Sequence, residues 1–235
     1  MRHLEDSYKT AFDAVVEEVK DGRGVVLSHT YFYPVSGGQP TDTGTITRKG
    51  DEREFKVINV KKSEGVIVHE VDNEGLSAGD EVRCTIDWER RHRLMRAHTA
   101  AHIVSEIIHR HTGAMITGNQ LELDKIRIDF SLEQFDPNAF VEYIGEANKI
   151  IGQGLPVTGE LLSREEAMRI PTVSKLAGGL PEHITEVRVV TIEGFDQQAC
   201  GGTHVKNTVE IGSLEFLRAE NKGQKNRRVY FGLAA

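Results

Sequence analysis

Four side chains with metal-donor chemistry recur as two pairs of identical spacing, His98 with His102 and Cys200 with His204. The first pair lies in Trp88 to His111, a stretch without proline or glycine in which Leu94, Ala97, Ala101, Val104 and Ile108 recur at helical spacing. Residues four apart share one face of a helix, with Cβ atoms about 5–6 Å apart, so a single ion reaches both imidazoles. The second pair stands in Ala199-Cys200-Gly201-Gly202-Thr203-His204. Its two glycines let the backbone fold back tightly, so both donors converge without a helix. Three imidazole nitrogens and one thiolate suit Zn2+, with bonds of about 2.0–2.3 Å. Four protein ligands close the coordination shell, as structural sites do, whereas catalytic sites keep a position for water; spacing alone leaves both open. Thr99, Ala100 and Ala101 separate the helix histidines, so the general-base glutamate of H-E-x-x-H metalloproteases is missing and peptide hydrolysis is disfavoured. His92, His109 and His111 sit on or near the same helix and are expected at the surface.

Two kinds of element must position these donors. Before Asp87 the chain is β-rich: Val25–Leu27, Gly44–Thr47, Phe55–Val60 and Val66–Val71 are short β-branched runs separated by glycine-bearing turns. Strands this closely spaced indicate a small barrel or sandwich. From Trp88 onward helix and strand mix. Leu121 to Phe130 alternates like a strand, and Asp136-Pro137 caps a helix from about Asn138 to Ile151. Ser163 and Glu166 form a capping box for a short helix, Val187–Ile192 is a strand, and Gly212–Leu217 with Arg228–Gly232 form a closing antiparallel pair. The expected architecture is two domains: an all-β, barrel-like domain over 1–87, then an α+β domain over 88–235 with an antiparallel sheet and packed helices.

The 235 residues suffice for two modest cores, and no apolar run is long enough for a transmembrane helix. Two distant cysteines, Cys84 and Cys200, make no disulfide framework; with an N-terminus lacking an apolar signal core, they point to the cytoplasm. Cys84 is expected to be packed and inert. A net charge of −7 argues against a general nucleic-acid coat protein. Yet Arg90, Arg91, Arg93 and Arg96 precede the first donor pair, and Lys222, Lys225, Arg227 and Arg228 follow the second. Such clusters read as candidate phosphate contacts against the acidic average, or as solvated charged faces.

Arg96-Ala97-His98-Thr99-Ala100-Ala101-His102 and Cys200-Gly201-Gly202-Thr203-His204-Val205 resemble the two metal-binding motifs of the alanyl-tRNA synthetase editing domain. Glu210–Glu215 and the basic Gln224–Arg228 follow as they do in that family. Phe32–Pro40 with Asp42-Thr43-Gly44 is similar to the glycine-rich motif of the preceding small domain, departing from it at Val35-Ser36. The order spans nearly the whole chain without an aminoacylation domain. It therefore resembles the freestanding AlaX editing proteins of the class that keeps the N-terminal domain. The resemblance implies ATP-independent hydrolysis of mischarged tRNA(Ala): seryl-tRNA(Ala) chiefly, glycyl-tRNA(Ala) as a second substrate, alanyl-tRNA(Ala) spared. It implies no nucleotide cofactor, no membrane and no obligate protein partner. Thr30 matches a threonine associated with serine recognition, and Gln120 an editing-site glutamine that positions water or the ester carbonyl. Gly37 and Gly38 then offer backbone N–H groups to the terminal adenosine, or simply a tight turn. The competing classes are a non-catalytic, zinc-stabilised RNA-binding module and a general metallo-esterase indifferent to tRNA.

Overall fold

A computed structural model describes residues 2–133, 136–171, 173–180 and 184–234, which fall into two compact units, Met1–Arg93 and Leu94–Ala235. The first carries strands β1 (Ala11–Lys20), β2 (Gly24–Leu27), β3 (Gly44–Arg48), β4 (Glu54–Ser63), β5 (Val66–Val71) and β6 (Glu81–Ile86). They close into a barrel in the order β1-β2-β5-β4-β3-β6, with β6 pairing back onto β1 antiparallel. Barrel rather than sandwich is thus the solution these short strands adopt. Strand β6 shows why: its residues alternate exposed and buried, sending Val82, Cys84 and Ile86 inward. Phe12, Val25, Phe32, Ile46, Phe55 and Val60 complete that core. Burial pushes the Cys84 thiol up to about 12, which makes it inert. Strands β4 and β5 meet through Glu64-Gly65, both at positive φ (52° and 86°), the two-residue turn whose twist matches a hairpin.

The same unit corrects one expectation. Arg91 is fully buried, as is Asp42, and the two form a bidentate ion pair. Arg91 Nη1 donates to Ser7 O at 2.9 Å, and Nη2, besides pairing with Asp42, donates to Tyr31 O at 2.7 Å. Its donors are therefore spent inside the protein, and Arg91 is a structural residue rather than a phosphate contact. Asp42 also accepts from the Tyr33 N–H at 2.6 Å, so this pair fixes the glycine-rich segment. Removing one partner leaves an uncompensated buried charge, which costs about 3–5 kcal/mol. Arg91→Met is expected to lower the thermal midpoint by roughly 10 °C; a melt superimposable on that of the parent chain refutes this role.

The second unit takes residues Leu94 onward of α1 (Trp88–Thr112). From Leu94 to Ile108 only Arg96 escapes burial, so this helix is enclosed on all sides rather than along one apolar stripe. Strands β7 (Ile116–Leu121) and β8 (Ile126–Phe130) follow, then α2 (Pro137–Ile151), β9 (Val157–Ser163), α3 (Arg164–Met168), β10 (Glu186–Ile192), β11 (Asp196–Ala199), β12 (Leu214–Asn221) and β13 (Arg227–Leu233). They make two antiparallel sheets, β12-β13-β8-β7 and β11-β10-β9. The single strand expected over Leu121–Phe130 is instead the end of β7, a turn and β8. Glu122 and Lys125 close that turn through a 2.9 Å backbone bond and a 2.8 Å ion pair.

Both expected caps form. Asp136 accepts from the Asn138 N–H ahead of α2, and Ser163 and Glu166 complete a reciprocal capping box ahead of α3. Helix α2 buries Phe140, Ile144, Ala147 and Ile151, while Asn148 both donates to and accepts from the Leu214 backbone, tying α2 to β12. Among the described residues no helix is long and apolar enough to cross a membrane.

Candidate metal centre

His98 and His102 share one face of α1, and the loop after β11 brings Cys200 and His204 to them. One donor atom from each of the four lies within 4.8 Å of all the others. Cys200 Sγ is 3.4 Å from His98 Nε2 and 3.3 Å from His204 Nε2. A tetrahedral ion with bonds of about 2.0–2.3 Å requires donor separations of roughly 3.3–3.8 Å; the two Cys200 contacts already have that spacing, and the 4.8 Å bound leaves the other pairs at most about 1 Å to close around an ion. The three histidines are buried and Cys200 is half-buried.

Neighbouring groups hold this geometry. Thr99 Oγ1 donates to Met95 O one turn back, at 3.0 Å, so its contact with His204 Nδ1 at 3.1 Å is an N–H donated by the ring. His204 Nε2 is thereby the nitrogen with a free lone pair facing Cys200. Arg188 of β10 donates to Cys200 O at 3.0 Å and Gly202 O at 2.9 Å, clamping the loop, and the Gly202 N–H points at Cys200 Sγ at 3.3 Å. Burial alone would raise the Cys200 thiol, but the three surrounding imidazoles hold it well below its ordinary value. Burial pushes His204 down to about 3. Burial would lower His102 too, yet the Cys200 thiolate and the Asp196 carboxylate raise it to about 9. A thiolate beside neutral imidazole is the donor state a soft cation needs, and loading releases the remaining proton.

The structure distributes the other candidates. Thr30 is buried in the barrel unit. His69 Nδ1 lies 2.9 Å from Val25 O, which can only accept, so this nitrogen carries the hydrogen. Burial pushes His69 down to about 4, so its ring is neutral near pH 7 and Nε2 is an acceptor. Thr30 Oγ1 therefore donates to Nε2 at 2.8 Å while accepting from the Phe32 N–H at 3.1 Å. Gly37 and Gly38, both at positive φ, form a tight turn closed by two backbone bonds between Ser36 and Gln39. Gln120 is exposed near the end of β7.

Of the basic residues, Arg227 joins Arg91 as a correction. It is buried and donates to Asn221 Oδ1, Gly223 O and Glu133 O, so it organises the β12–β13 turn instead of facing solvent. Arg228 is bidentate to Asp129, Arg96 bonds Ile211 O twice, and Arg90 donates to Thr41 O. Arg93 is half-buried. Lys222 and Lys225 are exposed, in ion pairs with Glu220 at 2.7 Å and Glu133 at 2.6 Å. Sequence spacing did not single out Asp196, whose Oδ2 lies 3.5 Å from His102 Nδ1, or the anchoring roles of Thr99 and Arg188. His92 and His109 are half-buried rather than free at the surface: His92 stacks on Trp88, and the His109 ring bonds Ala114 O.

A β-barrel unit followed in the chain by a unit with two His/Cys donor pairs is a sequence shared with alanyl-tRNA editing proteins and with a part of alanine–tRNA ligases. The family described as tRNA synthetases class II (A) matches residues 5–90, and the threonyl and alanyl tRNA synthetase second additional domain matches residues 187–230. The chain is 51% identical to the alanyl-tRNA editing protein AlaX-M of Methanosarcina barkeri, over 97% of this chain and 96% of that protein. It is 44% identical to the AlaX-M of Saccharolobus solfataricus, with the same coverage. Against the alanine–tRNA ligase of Methanothrix thermoacetophila it is 40% identical over 94% of this chain but 24% of the ligase. The chain belongs to the AlaX-M family of alanyl-tRNA editing proteins.

Proposed function

We propose that this chain is a zinc-dependent hydrolase of mischarged tRNA(Ala) that acts chiefly on seryl-tRNA(Ala), takes glycyl-tRNA(Ala) as a second substrate and spares alanyl-tRNA(Ala). The observation that carries the proposal is the convergence of His98, His102, Cys200 and His204 in a member of an alanyl-tRNA editing family. Their three nitrogens and one thiolate favour zinc over the harder cations, which prefer oxygen. When bound, that ion supplies either electrostatic polarisation of the ester or an anchor for the aminoacylated 3′ end. The remaining tasks fall to the chain. Thr30 reads the seryl hydroxyl, Gln120 presents an amide to water or the ester carbonyl, and the Gly37-Gly38 turn offers backbone N–H groups to the terminal adenosine. Arg90, Arg93, Arg96, Lys222, Lys225 and Arg228 are the proposed phosphate contacts.

The need for such an enzyme is physical. A pocket sized for alanine rejects neither smaller glycine nor an added hydroxyl strongly, whereas a site that hydrogen-bonds the serine hydroxyl rejects a substrate lacking it by roughly 10⁴ or more. The test is deacylation of seryl-, glycyl- and alanyl-tRNA(Ala) with metal content measured on the same sample. Serine release is expected to be fastest, with alanine retained. Zinc-loaded protein that leaves seryl-tRNA(Ala) intact would sink the proposal.

One observation favours a second reading. Four protein donors fill a tetrahedral shell, the hallmark of structural zinc, and suit a non-catalytic RNA-binding module. Chelation separates the two. A structural ion takes the second unit's fold with it, whereas a site ion takes deacylation and leaves the circular dichroism near native.

A further inference from the structure

Lysine is almost never fully buried without ionic partners, because its ammonium is costly to desolvate. Lys175 is 1% exposed, the one lysine so enclosed among the described residues. Its Nζ lies 2.8 Å from Glu106 Oε2 and bonds Asp196 Oδ1. Both carboxylates are themselves buried. Glu106 stands one helical turn beyond His102 on the same face of α1, and Asp196 opens β11, four residues before Cys200. The segment bearing Lys175 is held in place by β7, through Ile116 N–H to Lys175 O at 2.7 Å and Ala177 N–H to Ile116 O at 2.9 Å. Arg110 ties the same corner together, donating to Glu106 Oε1 at 2.5 Å and to the carbonyl of Phe195.

The arrangement consumes one oxygen of Asp196 and aims the other. With Oδ1 taken by Lys175, Oδ2 lies 3.5 Å from His102 Nδ1, just beyond a formed hydrogen bond; both atoms are buried and bond to nothing else among the described residues, so each is the group placed to satisfy the other. A carboxylate in that position selects the tautomer with hydrogen on Nδ1, leaving the Nε2 lone pair for the metal; partners of this kind orient ligating histidines in metal centres generally. We propose that Lys175, through Asp196, is a positioning residue of the metal centre, with Glu106 and Arg110 fixing Lys175 and β11 against α1. The inference rests on the metal-binding reading given above.

The test is Co2+ titration against a competing chelator, with the visible spectrum as a second readout, on the parent chain, Lys175→Met and Asp196→Asn. Asp196→Asn is the sharper variant. The asparagine keeps the shape and still accepts from Lys175, but turns an N–H₂ donor toward His102 and so selects the tautomer whose Nε2 carries hydrogen. Both variants are expected to lose about 10- to 100-fold in metal affinity and to shift the Co2+ spectrum while near-native circular dichroism persists. Parent-like affinity and spectrum in Asp196→Asn overturn the proposal, whether or not Lys175→Met folds. A parent chain that takes up no Co2+ or Zn2+ refutes the metal reading itself, a distinguishable failure.

Discussion

His102→Ala is expected to weaken metal binding by about 10²- to 10³-fold and to abolish tRNA deacylation at metal concentrations that saturate the parent chain. The magnitude follows from dividing the roughly 10–16 kcal/mol that structural zinc contributes among four ligands, which leaves about 2.5–4 kcal/mol for each. At about 1.4 kcal/mol per tenfold, that is two to three decades. His102 is the informative ligand because its ring occupies two environments at once, Cys200 on one side and Asp196 on the other. Alanine therefore removes a donor and strips Asp196 Oδ2 of the group it faces, so some loss of stability accompanies the loss of metal. The measurement is metal content after dialysis, paired with a melt and a deacylation assay on seryl-tRNA(Ala). His111→Ala is the control: that ring is exposed, pairs with Glu146 and stacks near Tyr143, and its loss leaves metal content unchanged. Full metal content and activity in His102→Ala would overturn the ligand assignment.

The donors were legible in the sequence because helical periodicity alone decides which residues share a face. A spacing of four in an uninterrupted apolar pattern placed His98 beside His102 before any fold was known. The caps at Asp136 and Ser163 were legible for the same reason: a cap is a local transaction between a side chain and backbone N–H groups a few residues on. What stayed hidden was set by partners distant in the chain. Nothing local distinguishes Arg91, buried against a carboxylate 49 residues earlier, from the half-exposed Arg90 beside it. Nor does the Ser174-Lys175-Leu176 segment advertise a buried ammonium. Strand β1 was obscured differently. Phe12, Ala14 and Val16 alternate inward as a strand should, but a bulge between Val16 and Glu18 breaks the period. Helix α1 looked one-sided because its most regular stripe is apolar, whereas His98, Thr99, His102, Ser105 and Glu106 are buried as well. His98, Thr99, His102 and Glu106 are tolerated inside because the four-donor cluster and the Lys175 network give them partners.

The second large effect concerns discrimination rather than turnover. Thr30→Val is expected to reduce the ratio of seryl to glycyl deacylation, each as kcat/KM, by about 10- to 100-fold. The bond to His69 consumes the hydroxyl hydrogen, and the Phe32 N–H takes one lone pair. The hydroxyl can then meet a substrate only as an acceptor, and a seryl hydroxyl is the donor that alanyl and glycyl esters lack. Valine keeps the branched shape and removes the oxygen, so the seryl hydroxyl loses a partner at a cost of about 1–3 kcal/mol, which sets the expected ratio. The same change orphans His69 Nε2 and the Phe32 N–H inside the barrel, so the variant also melts lower. That side effect does not imitate the specificity effect: a loosened barrel slows both substrates together, whereas a lost hydroxyl contact slows only the seryl ester. Thr30→Ser, which keeps the oxygen and its hydrogen, restores most of the ratio. An unchanged ratio in Thr30→Val removes Thr30 from substrate recognition and leaves its bonds to His69 and Phe32 as its whole role.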